Sequence, residues 1–262
     1  MKRKRPAHHY RAIFISDVHL GFSGCSAEFL LDFLRSSTCE YLFLVGDIID
    51  IWQMKKKMFW PQAHNDVVRA LLGKAKHGTH VIYVPGNHDE MLRDFDGTCL
   101  GNLEIRNRYI HTTLNGQRLL VTHGDQFDCV VRCSRWLAHV GSRLYEVLLS
   151  LNNTVNFVRR KLGFPYWSLA GALKHRVKQA VNYIGNFESA LAYEARECGV
   201  DGVVTGHIHR AALTTIDDIV YSNCGDWVES CTALVECEDG RLQLLSWTEQ
   251  PADVSTLERA AA

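Results

Sequence analysis

The chain is expected to adopt an α/β fold. Short, apolar, β-rich runs alternate with helical stretches over the first 120 residues. That texture stops near Cys129 and gives way to about sixty residues with little strand character. Strand signals then return at Gly202 and continue almost to the end. One domain over 1–262, carrying a helical insertion over 129–190, is the simplest organisation that explains all three.

Each element follows from its residues. "AIFIS" (12–16) is a short buried strand. "AEFLLDFLR" (27–35) has helical spacing, with Phe29, Leu30, Phe33 and Leu34 expected on one side. "YLFLV" (41–45) and "HVIYV" (80–84) read as further buried strands, with a helix over 62–77 between them that Gly78 ends. Shorter strands are expected at 103–110 and 117–122, and again at 202–206, 211–216, 219–222, 231–237 and 241–248. The tail after Trp247 is expected to fray.

Composition narrows the function classes. With 47% hydrophobic residues the chain has enough apolar mass for a sizeable core. Formal net charge is zero, which gives no global electrostatic case for nucleic acid. "MKRKR" at the start reads as a flexible tail, and the apolar run after it is too short for a signal peptide. No stretch approaches the ~18 uninterrupted apolar residues of a membrane span. Nine cysteines without a C-x-x-C pair read as free thiols in a reducing, cytoplasmic setting.

The chemistry lies in five short motifs, each directly after a strand: "SDVHLG" (16–21), "GDIID" (46–50), "PGNHDE" (85–90), "THGDQFD" (122–128) and "GHIHR" (206–210). Loops at the carboxyl ends of strands converge in α/β folds, so Asp17, His19, Asp47, Asn87, His123, His207 and His209 are expected together. These are oxygen and nitrogen donors without a thiolate, a set that suits Mn²⁺, Fe²⁺, Zn²⁺ or Mg²⁺. Seven ligands are too many for one ion and fit two that share a bridge. In D-x-H and H-x-H, alternate residues of an extended segment face the same way. Two dications outweigh Asp17, Asp47 and a bridging hydroxide, which leaves a net positive site that attracts phosphate.

In this order the motifs D-x-H, G-D-x-x-D, G-N-H-D, H-G-D and G-H-x-H resemble those of the calcineurin-like metallophosphoesterase superfamily, over Asp17 to His209. The resemblance implies a four-layer α/β/β/α sandwich of two mixed sheets flanked by helices. It implies that Asp17, His19 and His209 bind one divalent ion and Asn87, His123 and His207 a second, with Asp47 bridging; Mn²⁺ is the first expectation. It further implies attack of metal-bound hydroxide on phosphorus. His88 then faces the phosphoryl group and Asp50 orients it, the pair assigned to catalysis. Asp125, Asn65 and Trp60 are candidates for substrate contact; Asp50 could also simply cap a helix.

A narrower resemblance adds a substrate. "AEFLLDFL", "GDIIDIW", "THGDQFD" and a helical insertion before "GHIHR" look like the UDP-2,3-diacylglucosamine diphosphatase group of lipid A biosynthesis. That implies pyrophosphate cleavage of an amphiphilic UDP-sugar, with the insertion as a lid. The insertion carries nine basic residues, from Arg132 to Lys178, against Glu146 and Glu188 alone, and is rich in Leu, Val and aromatic residues. Such helices suit an anionic lipid or peripheral contact with the inner membrane. The corresponding motif of those enzymes reads G-N-R-D, whereas His88 stands here, which marks a divergent member. The alternative is a phosphomonoesterase or phosphodiesterase on another lipid or nucleotide. A non-catalytic metal-binding scaffold is the weaker reading, because every ligand is present. Oligomeric state is left open.

Overall fold

The computed structural model describes residues 8–130 and 187–248. The bulk of the expected insertion, the basic tail and the C-terminal tail lie outside them. The chain divides into two compact units, Met1–Asp125 with Ala192–Ala262, and Gln126–Leu191.

Two sheets form the first unit. β1 (His8–Ile15), β2 (Ser37–Val45), β3 (His80–Val84) and β5 (Leu103–Ile105) run parallel. β4 (Cys99–Leu100) pairs antiparallel with β5, β11 (Thr232–Glu236) with β1, and β12 (Leu242–Ser246) with β11. The order of this seven-stranded sheet is β12-β11-β1-β2-β3-β5-β4. The second sheet contains β6 (Tyr109–Thr112), β7 (Arg118–Val121), β8 (Gly202–Thr205), β9 (Ala212–Ile216) and β10 (Ile219–Asn223), in the order β6-β7-β8-β10-β9.

Side-chain alternation builds the layers. Ile13 and Ile15 of β1 pack with Leu42, Leu44, Val81 and Tyr83 against α1 (Ala27–Ser36) and α3 (Gln62–Lys76). Their neighbours Ala12 and Phe14 point the other way, joining Phe43, Val45, Ile82 and Val84 against Leu119, Val121 and Val204 of the second sheet. Strands buried on both faces read as unbroken apolar runs, which is why β1, β2 and β3 are legible from sequence. A carboxylate between the sheets ties them further: Glu236 of β11 accepts from the Leu114 N–H at 2.8 Å and lies 2.6 Å from His111 Nε2.

Three details differ from the sequence expectation. In α1 the buried series is Ala27, Leu30, Leu31 and Leu34 with Phe33, while Phe29 falls one position off it and is 51% exposed. The run 103–110 is two strands in different sheets, because the polar segment 106–108 bends the chain away: the Arg106 N–H donates to the Tyr83 carbonyl and the Asn107 N–H to Asp96 Oδ1. A six-residue helix, α2 (Ile51–Lys56), starts directly at Asp50. It buries none of its residues, so it leaves no apolar periodicity to read.

Gly73 lies inside α3 with nothing within 4 Å of where a Cβ would stand. Gly73→Ala should therefore stabilise the protein by about 0.5–1 kcal/mol. For a chain of this size that raises Tm by about 2 °C. A fall in Tm by calorimetry would contradict the placement of this helix.

Candidate active site

All five motif loops leave the carboxyl ends of parallel strands: β1, β2 and β3 in the first sheet, β7 and β8 in the second. Backbone bonds lace them together. The Asp17 N–H donates to the Gly46 carbonyl and the His19 N–H to the Asp47 carbonyl. The Gly206 N–H donates to the His123 carbonyl.

The turns are sharp. Asp17, His19, Asp47, His207 and His209 all hold φ between +50° and +72°, a region non-glycine residues avoid. Such outliers cluster where a fold over-determines a functional site. Glycines allow close approach: a Cβ on Gly86 would stand 2.3 Å from Asp47 Oδ1, and one on Gly206 2.4 Å from Asp17 Oδ2.

The structure brings six of the seven predicted ligands into compact groups. Donor atoms of Asp17, His19 and His209 lie within 4.8 Å of one another, and so do those of Asp47, His123 and His207. Asp47 Oδ2 lies 3.4 Å from His123 Nε2 and 4.0 Å from His19 Nε2, so it reaches both groups. Asp17 Oδ1 is 3.2 Å from His209 Nε2, and its Oδ2 accepts from the His207 N–H at 2.8 Å. Asn87, the seventh, has a buried Oδ1 with no hydrogen-bond partner.

Two of the rings are aimed by their other nitrogen. His19 Nδ1 is 2.9 Å from Asp50 Oδ2, and His123 Nδ1 is 2.9 Å from the Val45 carbonyl. In both rings Nε2 is buried without a hydrogen-bond partner. A second bond that fixes tautomer and orientation is how proteins prepare a metal-binding imidazole. Asp17 Oδ1, His19 Nε2, Asn87 Oδ1 and His123 Nε2 are four of the seven orphaned buried polar atoms among the described residues. Buried polar atoms are rarely left unpaired without a reason. His19 Nε2 lies 3.9 Å from Asp17 Oδ1, and His19 Nε2 and His123 Nε2 both face Asp47, where cations would satisfy them, so the donor set fits divalent ions.

Electrostatics agree. Burial alone would raise the Asp47 carboxyl, yet His123 and His88 beside it hold it well below the usual carboxylate range. Burial alone would lower His123, yet Asp47 and Asp17 push it up to about 10. The field is built to face positive charge, carried by a proton or by a metal.

Asp50 does two jobs. Its Oδ1 accepts the Gln53 N–H at 2.8 Å, capping α2, and lies 2.9 Å from His88 Nδ1. Its Oδ2 holds His19. His88 Nε2 is thereby turned inward, 3.9 Å from Asp47 Oδ2, and His19, Asp47 and His88 form a third compact group. Geometry alone would thus allow His88 either a metal or a phosphoryl oxygen. Asp125 pairs with Arg93 at 2.7 Å. Trp60 and Asn65 bond to each other at 3.0 Å. Their link to the site runs through His64, which packs on Trp60 and accepts the Gly21 N–H at 3.1 Å.

Four residues escaped sequence reading. Asp89, fully buried, accepts from Gly86 N–H, Ile48 N–H, Ile49 N–H and the Tyr83 hydroxyl at 2.6–3.4 Å, nailing the loop after β3 to the loop after β2. Trp52 packs on His88 with ring centres 4.5 Å apart. Asp226, in "GDW" after β10, accepts three successive backbone N–H groups and lies 4.0 Å from His209 Nδ1. Arg93 bridges Asp125 and the Pro85 carbonyl. Only Asp89 had a signal, as the acid of the G-N-H-D motif.

The sequence model of the calcineurin-like phosphoesterase family matches residues 10–211. The chain belongs to that family. It is a metal-dependent phosphohydrolase, and the Asp/His clusters are where divalent ions fit. Among curated proteins, the phosphoesterase is 25% identical over 228 residues to a UDP-2,3-diacylglucosamine hydrolase of Neisseria meningitidis serogroup B, covering 82% of this chain and 89% of that one. It is 25% identical over 252 residues to the protein of that name from Xanthomonas campestris, covering 87% and 96%. A third of the same name, from Azotobacter vinelandii, is 26% identical over 207 residues, covering 77% and 82%.

Proposed function

We propose that the phosphoesterase cleaves the pyrophosphate of UDP-2,3-diacylglucosamine or of a similar amphiphilic UDP-sugar or lipid phosphate. The observation that carries the hydrolytic part is the convergence of Asp17, His19, Asp47, His123, His207 and His209. The substrate part is supported by relatives of that activity aligned over most of their length, and by the basic, aromatic composition of 129–190.

In this reading Asp17, His19 and His209 hold one divalent ion, Asn87, His123 and His207 a second, and Asp47 both. Bound there, the ions, with Mn²⁺ the first candidate, supply Lewis acidity and a nucleophile at neutral pH. The chain's own part is orientation and proton placement. Asp50 fixes His88 through Nδ1, so Nε2 is the atom offered to a phosphoryl or leaving oxygen. Residues 129–190 would act as a lid within a single domain, on the cytoplasmic side of the membrane. No helix among the described residues is long and apolar enough to cross a bilayer.

A second reading, hydrolysis of another lipid or nucleotide phosphoester, is favoured by one residue: His88, where the lipid A enzymes' motif has arginine. A mass-spectrometric assay with Mn²⁺ on UDP-2,3-diacylglucosamine, UDP-sugars and phospholipids decides between them. Release of UMP from the diacylated substrate alone supports the first reading. Turnover of other phosphoesters without it moves the protein to the second.

His88→Ala should reduce turnover of bis-p-nitrophenyl phosphate by ~10²-fold or more while metal content stays near wild type. Asp50→Asn should lower both, because it releases His19 and His88 together; an outer partner of this kind is worth about 10–100-fold in affinity or rate. Loss of metal in His88→Ala would make His88 a ligand instead.

A further inference from the structure

The segment after Asp50 carries a cluster of positive charge that the hydrolytic site does not use. From Ile51 to Asn65 the only charged side chains are Lys55, Lys56 and Lys57. All three are exposed, and so are Trp52 (40%), Met58 (71%) and Phe59 (37%) around them. On α2, Trp52, Lys55 and Lys56 stand at i, i+3 and i+4, which is one face. The opposite side carries Met54, whose Cγ lies so close to Gly21 that a Cβ there would meet it at 2.6 Å. The helix is therefore seated inward by Met54 and shows its cationic and aromatic face outward.

That face is rigidly linked to the chemistry. α2 is capped by Asp50, the Ile51 N–H donates to the His88 carbonyl, and Trp52 packs on the His88 ring. Six helical residues span only ~9 Å, so whatever engages the lysines lies within about two turns of the Asp50–His88 pair.

We infer that residues 52–59 are a docking face for an anionic lipid surface, which sets the mouth of the active site against the headgroup layer. Three adjacent lysines give charge complementarity to anionic headgroups, and Trp, Met and Phe interleaved with them are the side chains that enter the interfacial zone. A protein partner would be expected to meet an uncharged, closely packed apolar centre, and charged residues are depleted there. Docking of this kind requires neither a particular phosphoester nor the insertion.

The test uses the full-length metal-loaded protein in vesicle co-sedimentation. It should bind vesicles containing phosphatidylglycerol, release at high salt, and ignore pure phosphatidylcholine. The triple variant Lys55→Glu/Lys56→Glu/Lys57→Glu should bind at least ~10-fold more weakly. Met58→Ser should also bind more weakly. Both variants should keep the wild-type Tm and the wild-type rate on the soluble diester. Wild-type binding by the triple variant would overturn the assignment and leave membrane contact to other residues. Failure of the wild type to bind anionic vesicles would overturn it as well. A dimer in light scattering that the triple variant abolishes, without vesicle binding, would give the face to a second copy of the chain.

Discussion

Asp47→Ala is expected to lower hydrolysis of bis-p-nitrophenyl phosphate by ~10³-fold or more, since several kcal/mol of charge stabilisation depend on the ions it would share. Asp47 is the carboxylate that reaches both ligand groups, and its Oδ1 also accepts the His88 N–H at 2.8 Å. Its loss removes the proposed bridge, frees the turn carrying Asn87 and His88, and takes from buried His123 the carboxylate that acts on it most strongly. Metal analysis should therefore show fewer ions per chain, and added Mn²⁺ should not restore the rate. A chelator should do to the wild type what the mutation does, reversibly. Near-normal turnover of Asp47→Ala with metal present would remove the two-ion assignment.

Gly86→Ala should be nearly as damaging, from a single methyl group. The added Cβ would stand 2.3 Å from Asp47 Oδ1, 2.6 Å from the Asp47 nitrogen and 2.8 Å from His123 Cδ2. None of these can swing away, because Asp47 sits in a left-handed turn and His123 is held by the Val45 carbonyl. Gly86 itself lies outside the positive-φ set, so the effect is steric and not a matter of backbone preference. A displacement of ~1 Å at a reacting centre can cost about 10²-fold, and that is the loss expected in kcat at saturating Mn²⁺. Circular dichroism should remain that of a folded protein. Full activity in Gly86→Ala would mean that the loop after β3 is not packed on Asp47.

The parts of this molecule that were legible in the sequence are those governed by local pattern. β1, β2 and β3 announce themselves because their carboxyl-terminal parts are buried on both faces and apolar, whereas the polar starts of β1 (His8–Arg11) and β2 (Ser37–Glu40) do not read as strand; the site announces itself because each motif begins where such a run stops. Elements held by one or two long-range contacts left little trace. α2 follows from the Asp50 cap and the seating of Met54, neither of which gives a hydrophobic period. The split of 103–110 depends on Tyr83 and Asp96 accepting backbone bonds from Arg106 and Asn107. Asp89, Arg93 and Asp226 act on loops far away in sequence, and spacing does not reveal such partners. Trp60 and Asn65, the candidates for substrate contact, bond to each other and connect to the loop after β1 through His64, a link that spacing does not reveal.

The left-handed backbone at Asp17, His19, Asp47, His207 and His209 sets evolutionary pressures against one another. At each of these positions glycine would relieve a conformational cost of ~1 kcal/mol, and at each it would delete a candidate ligand. Heat resistance and hydrolysis thus pull the same five codons in opposite directions. A library of this protein enriched only for survival at high temperature would drift toward folded, inert chains, beginning with His209, the most exposed of the five and the cheapest to lose.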